Sequence, residues 1–136
     1  MPRTVPKSLY HWLNQKLRRI SLYWPAKSIA RETAKVLVQE GLLLNGKPKY
    51  KTKYICAECH RQGLENIVHD KEETQMDHIN PVIELAGFTT WDNYMESLFC
   101  EPDAYQCLCK PHHVEKSSKE NEQRRLIKKH AKKLNK

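Results

Sequence analysis

Asp77 and His78 stand side by side between two pairs of metal-ligating side chains, Cys56-x-x-Cys59 and Cys109-x-x-His112, and a second histidine, His113, directly follows the last of these. These residue types support two kinds of chemistry. Two thiolates two residues apart can grip one tetrahedral ion from a tight turn, and a Cys-x-x-His pair would complete a closed, structural Cys3His site. Cys100, Cys107 and His60 are alternatives for one of those four positions. The second kind is open. The Asp77 carboxylate is a hard oxygen ligand suited to Mg2+ or Mn2+. A neutral imidazole at His78 can take a proton from water near pH 7. At a helix start, neighbouring residues diverge by about 100°. His112 can then face the staple while His113 faces Asp77.

The elements that must position these groups are short. Residues 8–23 read as an amphipathic helix capped by Ser8, with Leu9, Trp12, Leu13, Leu17 and Ile20 at three- and four-residue spacing. Lys16, Arg18 and Arg19 lie largely off that stripe. Trp24-Pro25 breaks it. A second helix is predicted over residues 26–40, with Ile29, Thr33, Val36 and Leu37 on one face and Gly41 ending it. Asn45-Gly46-Lys47-Pro48 is a turn. Residues 53–55, 75–79 and 105–109 are strand candidates, and Pro81 limits the second of them. Residues 91–99 form a short helix, with Thr90 or Asp92 near its start. From His112 a helix runs to about residue 133, with an apolar content too thin for its distal half to be core.

Charge is segregated along the chain. Residues 1–53 carry a net charge of +10, residues 54–109 carry −9, and residues 110–136 carry +7. The acidic middle suits a site that gathers divalent cations. The basic arms suit a polyanion whose phosphates they would neutralise. At 136 residues, with only two Phe, the chain allows one domain with extensions and a modest core. A core of that kind is often stapled by a metal. No apolar run approaches the roughly 20 residues needed to span a bilayer. The start of the chain lacks the apolar segment of a secretory signal. The odd count of five Cys then points to metal ligands in a reducing compartment, not to disulfides.

Asp77-His78-Ile79-x-Pro81, followed by Leu108-Cys109-x-x-His112-His113-x-x-Lys116-Ser117, resembles the HNH endonucleases of the ββα-metal class, in particular the short zinc-knuckle proteins encoded by bacteriophages. The resemblance covers residues 50 to 117 well and is loose before them. His112 stands where the family usually has a second Cys, and Ser117 where it has Thr. The resemblance implies an α+β fold: a small ββα-metal (His-Me finger) core at residues 51–118, stapled by structural Zn2+. A basic helical extension would precede it at residues 1–50, and a basic helix would follow at residues 119–136.

The resemblance also implies the roles. His78 is the general base. Asp77 and His113 hold a single catalytic divalent ion, Mg2+, Mn2+ or Ni2+. Cys56, Cys59, Cys109 and His112 hold zinc. Arg18, Arg19, Lys110 and Lys116 are candidate DNA contacts. Ala104 stands where the family carries its central Asn, a brace for the base; Asp103 and Asn93 are the nearest candidates to replace it. The expected partner is DNA, with phage packaging proteins as further candidates, and the expected location is the cytoplasm of the infected bacterium. The alternative is a zinc-stapled DNA-binding or packaging accessory protein that does not cut.

Overall fold

The computed structural model describes residues 8–64 and 66–135. The stretch read for a secretory signal, residues 1–4, lies outside the described residues. The chain forms a small α+β structure. Among the described residues it has five α-helices, α1 (Leu9–Ser21), α2 (Pro25–Thr33), α3 (Ala57–Arg61), α4 (Trp91–Leu98) and α5 (Lys110–Leu134). Two antiparallel two-stranded sheets accompany them, β1 (Lys35–Leu42) with β2 (Pro48–Tyr54), and β3 (Thr74–His78) with β4 (Tyr105–Cys109). β2 runs across residue 50, and α5 runs unbroken across residue 118.

Ser8 caps α1 by accepting from the His11 amide at 3.2 Å. The face that α1 turns inward is offset from the predicted stripe. Leu9 and Ile20 are exposed. Instead Tyr10 meets Phe88 and Trp91, Asn14 accepts from the Tyr94 hydroxyl, and Leu17 packs on Val82, Tyr94 and Leu98.

The helix predicted over residues 26–40 is corrected. α2 ends at Thr33, and Lys35–Leu42 is a strand. The β-branched Val36 and Val38 favour the pleated conformation, and a turn at Leu43–Lys47 folds β2 back along them. Asn45 Oδ1 accepts from the Lys47 amide at 3.0 Å, and Gly46 takes φ +81°. Gly41, at φ +76°, sits where the register slips between Gln39 and Leu42. It is a bulge glycine in a strand, not a helix cap.

β3 and β4 pair in register Thr74↔Cys109, Met76↔Cys107, Asp77↔Gln106 and His78↔Tyr105. Alternation divides their side chains between two faces. Met76, Tyr105 and Cys107 pack against Ala26 and Ala30 of α2. On the other face, Leu108 joins the cysteines around α3. Thr90 caps α4 through the Asn93 amide at 3.1 Å, and α5 follows β4 without a loop. The apolar interior is divided into three small clusters. Full burial of Tyr94, Leu98 and Leu108 contributes about 1.5–3 kcal/mol each. One of the three clusters is made largely of cysteine.

Candidate active site and metal centre

Three elements meet at the cysteine cluster. Cys56 caps α3, with its Sγ accepting from the Cys59 amide at 3.5 Å. Cys109 ends β4 and caps α5, whose first turn contains Pro111 with its preset φ. That turn brings His112 Nδ1 to 3.4 Å from Cys56 Sγ, 3.4 Å from Cys59 Sγ and 3.2 Å from Cys109 Sγ. Cys59 Sγ and Cys109 Sγ are 3.9 Å apart. Zinc bound at about 2.3 Å to sulfur and about 2.0 Å to nitrogen would space tetrahedral donors about 3.8 Å (S to S) and about 3.6 Å (N to S) apart. All four donor atoms lie within 4.8 Å of one another. Cys56, Cys59, Cys109 and His112 therefore form a set that can hold a structural metal ion such as zinc.

The thiols are already polarised against one another. Burial alone would raise Cys56, but the Cys109 and Cys59 amides and His112 outweigh it and bring it down to about 7. Burial, with the Cys56 and Cys109 sulfurs beside it, pushes Cys59 up to about 12. Three crowded sulfurs ionise together only around a cation.

The alternative ligands lie elsewhere. Cys107 packs with Met76, Tyr105 and α2 instead of joining the ligand set, and burial there raises its thiol. Cys100 packs beside that same cluster, and His60 is exposed. His69, by contrast, had no sequence signal and comes to the staple. Its Nε2 is 3.8 Å from Cys59 Sγ, and its backbone exchanges hydrogen bonds of 2.8 and 2.9 Å with Tyr54.

A second cluster lies at the end of β3. Asp77, His78 and His113 line one open cavity of about 480 Å³, together with Arg18, Arg19 and Lys27. Asp77 and His78 point to opposite faces of the strand, but β3 stops at His78, so both reach the cavity at its end. The two oxygens of Asp77 are used differently. Oδ2 accepts from Lys116 Nζ at 2.9 Å and from Gln106 Nε2 at 3.2 Å. Oδ1 lies 3.7 Å from His113 Nε2. One hard oxygen and one imidazole nitrogen at that separation suit a divalent ion that keeps several positions for water or phosphate. Neighbouring ligands of an octahedral ion lie about 3 Å apart, so a small closure would bring both into reach.

His78 Nε2 lies 3.2 Å from the Leu98 carbonyl oxygen. A carbonyl only accepts, so Nε2 carries the proton and Nδ1 keeps a free lone pair. Leu98 is the last residue of α4, where a carbonyl lacks an intrahelical partner. Tyr105 Oη also donates to it, at 3.3 Å, and the Tyr105 ring lies 4.7 Å from that of His78. Trp24 holds the same turn by donating Nε1–H to the Cys100 carbonyl at 2.7 Å. Burial lowers the His78 pKa, and the positive charges of Lys27 and Arg18 add to that. These shifts favour the neutral imidazole.

Neither side chain considered as a brace reaches His78. Asn93 donates to Thr89, and Asp103 is exposed. The Ala104 carbonyl accepts from the Ile79 amide at 2.9 Å. Among the candidate DNA contacts, Arg18 and Arg19 wall the cavity and Lys110 is exposed. Lys116 is held inside by Asp77, Glu120 and the His78 carbonyl. Burial alone would lower its pKa, but Glu120 and Asp77 outweigh it and raise it. Lys27 was not legible as a site residue. It is a wall residue whose pKa is lowered by burial and by Arg31. No helix among the described residues is long and apolar enough to cross a membrane. Comparison with protein-family models, with curated proteins and with solved structures finds no match for this chain.

Proposed function

We propose that this protein is a metal-dependent DNA endonuclease of the HNH type. The observation that carries the reading is the convergence of Asp77, His78 and His113 on one cavity walled by Arg18, Arg19 and Lys27. The strand–strand–helix order of β3, β4 and α5 supports it. So does the staple at the β4–α5 junction, which fixes where His113 points.

In this reading Arg18, Arg19 and Lys27 hold the phosphates on either side of the scissile bond. His78 Nδ1 takes a proton from water as its oxygen attacks phosphorus, and the Leu98 carbonyl keeps the opposite N–H fixed. The P–O3′ bond breaks and the departing O3′ takes a proton from solvent water, leaving a 5′ phosphate and a 3′ hydroxyl. Asp77 Oδ1 and His113 Nε2 would hold a divalent cation, which supplies charge stabilisation to the phosphate and the leaving oxygen. Lys116 and Gln106 keep the other Asp77 oxygen in place. Zinc in the Cys3His site is structural.

The test is incubation of supercoiled plasmid with the pure chain and Mg2+, Mn2+ or Ni2+. Relaxation that stops with chelator is the expected result. A second reading, a zinc-stapled DNA-binding protein that does not cut, is favoured by the Lys116–Asp77 ion pair, which neutralises the carboxylate without a metal. Salt-dependent DNA binding with no relaxation under any of the three metals would decide for it.

A further inference from the structure

Six basic residues crowd the C-terminal half of α5: Arg124, Arg125, Lys128, Lys129, Lys132 and Lys133. At about 100° per residue, all six fall on one half of the helix. Leu126, Ile127, His130, Ala131 and Leu134 fall on the other half. Among the described residues Arg124 makes the last side-chain hydrogen bond from α5 to the body of the protein, its Nη2 donating to the Ile83 carbonyl at 2.8 Å. From Arg125 to Asn135 every residue is exposed. Arg125 pairs with Glu122, while the four lysines enter no ion pair among the described residues.

We infer that this basic half of α5 is a rail for the phosphate backbone of double-stranded DNA, running outward from the cavity. The position of its inner end rests on the nuclease reading, since His113, near the start of α5, lines the cavity. From His113 to Lys133 the helix rises about 30 Å, at about 1.5 Å per residue. That is about nine base pairs of duplex at about 3.4 Å each. A straight helix with unpaired lysines along one side matches the regular charge of a duplex, and each phosphate it neutralises releases counterions.

Other occupants fit less well. The apolar half carries no Trp or Phe and only three large apolar side chains, which is thin for a membrane-surface helix. It also spans fewer than two heptads, short of the three or four that a coiled-coil pair with a second copy needs.

The test uses the full, zinc-loaded chain carrying His78→Ala, so that DNA is not consumed. Fluorescence anisotropy compares it with the same chain carrying K128Q, K129Q, K132Q and K133Q. The probes are a hairpin duplex of about 5 base pairs, too short to reach Lys128 from His113, a duplex of about 30 base pairs, and phosphatidylserine vesicles; on the long duplex the salt slope should fall by about 3 to 4, near 0.9 per lysine lost. On the long duplex the variant should bind at least about tenfold more weakly, a loss of about 1.4 kcal/mol. On the short duplex the two chains should bind alike. Equal binding to the long duplex, an equal loss on both lengths, or a loss confined to vesicles would overturn the rail. The two proposals fail separately. Plasmid cutting with unchanged long-duplex affinity removes the rail alone, while the expected binding loss without any cutting removes the nuclease reading alone.

Discussion

The Nε2 of His78 is hydrogen-bonded, at 3.2 Å, to the main-chain carbonyl of Leu98, twenty residues further along the chain. The contact that orients the histidine is therefore a carbonyl at the C-terminal end of α4 and not an asparagine side chain. That end is held in turn by Trp24, through the Cys100 carbonyl. Trp24→Phe should remove about 1 kcal/mol of that hold, and plasmid nicking should slow by about fivefold to tenfold. Zinc content should stay at the parent value. Mass spectrometry for zinc, run beside the nicking assay, checks both halves. An unchanged rate would detach Trp24 from the site.

The staple makes a sharp claim about identity. Cys56→Ser should lose zinc and melt at a lower temperature, because the cluster it sits in has little other apolar content. Cys107→Ser, in the cluster that packs on α2, should keep one zinc per chain. Metal analysis of the two purified variants distinguishes them, and the reverse pattern would require a different ligand set.

Lys116 sits against the carboxylate that would hold the catalytic cation. Removing its positive charge should make Asp77 a better metal ligand. Lys116→Met is expected to bind Mn2+ more tightly by calorimetry, while losing about 1–3 kcal/mol of stability with its partly buried partners. Unchanged Mn2+ affinity would mean that Asp77 is not a ligand, or that Lys116 moves away when the ion enters.

The pH dependence follows from the direction of the His78 shift. Protonated His78 cannot accept a proton, so cleavage must fall as pH drops through its pKa. Burial and the neighbouring cations push that pKa down. The acid limb should therefore lie below the usual imidazole range. Lys27→Met removes one of those cations and should move the limb to higher pH. Rate profiles are read only where zinc content is constant, so that protonation of the cysteines does not contribute. A limb that stays in place would show that another group controls the rate.

The site was more legible in the sequence than the scaffold around it. The Cys-x-x-Cys and Cys-x-x-His spacings are local, and they survive any tertiary arrangement. The same holds for His112 and His113, whose divergence follows from helix geometry alone. The strand at Lys35–Leu42 was not legible, because Ile29, Thr33, Val36 and Leu37 also match a helical period. Only pairing with β2, beyond the Asn45-Gly46 turn, decides against it. Lys27 and His69 reach their sites through tertiary folding, and nothing in their sequence neighbourhood marks them. Leu98 could not be read as a brace at all, since a main-chain carbonyl carries no side-chain signature.

The most direct measurement is single-turnover cleavage of a labelled duplex in Mn2+ by the parent chain and by His78→Ala, both loaded with zinc. The account predicts that the variant binds the duplex as the parent does and cuts it about 10²- to 10⁴-fold more slowly, the usual contribution of a positioned general base. Equal rates for the two proteins would contradict it.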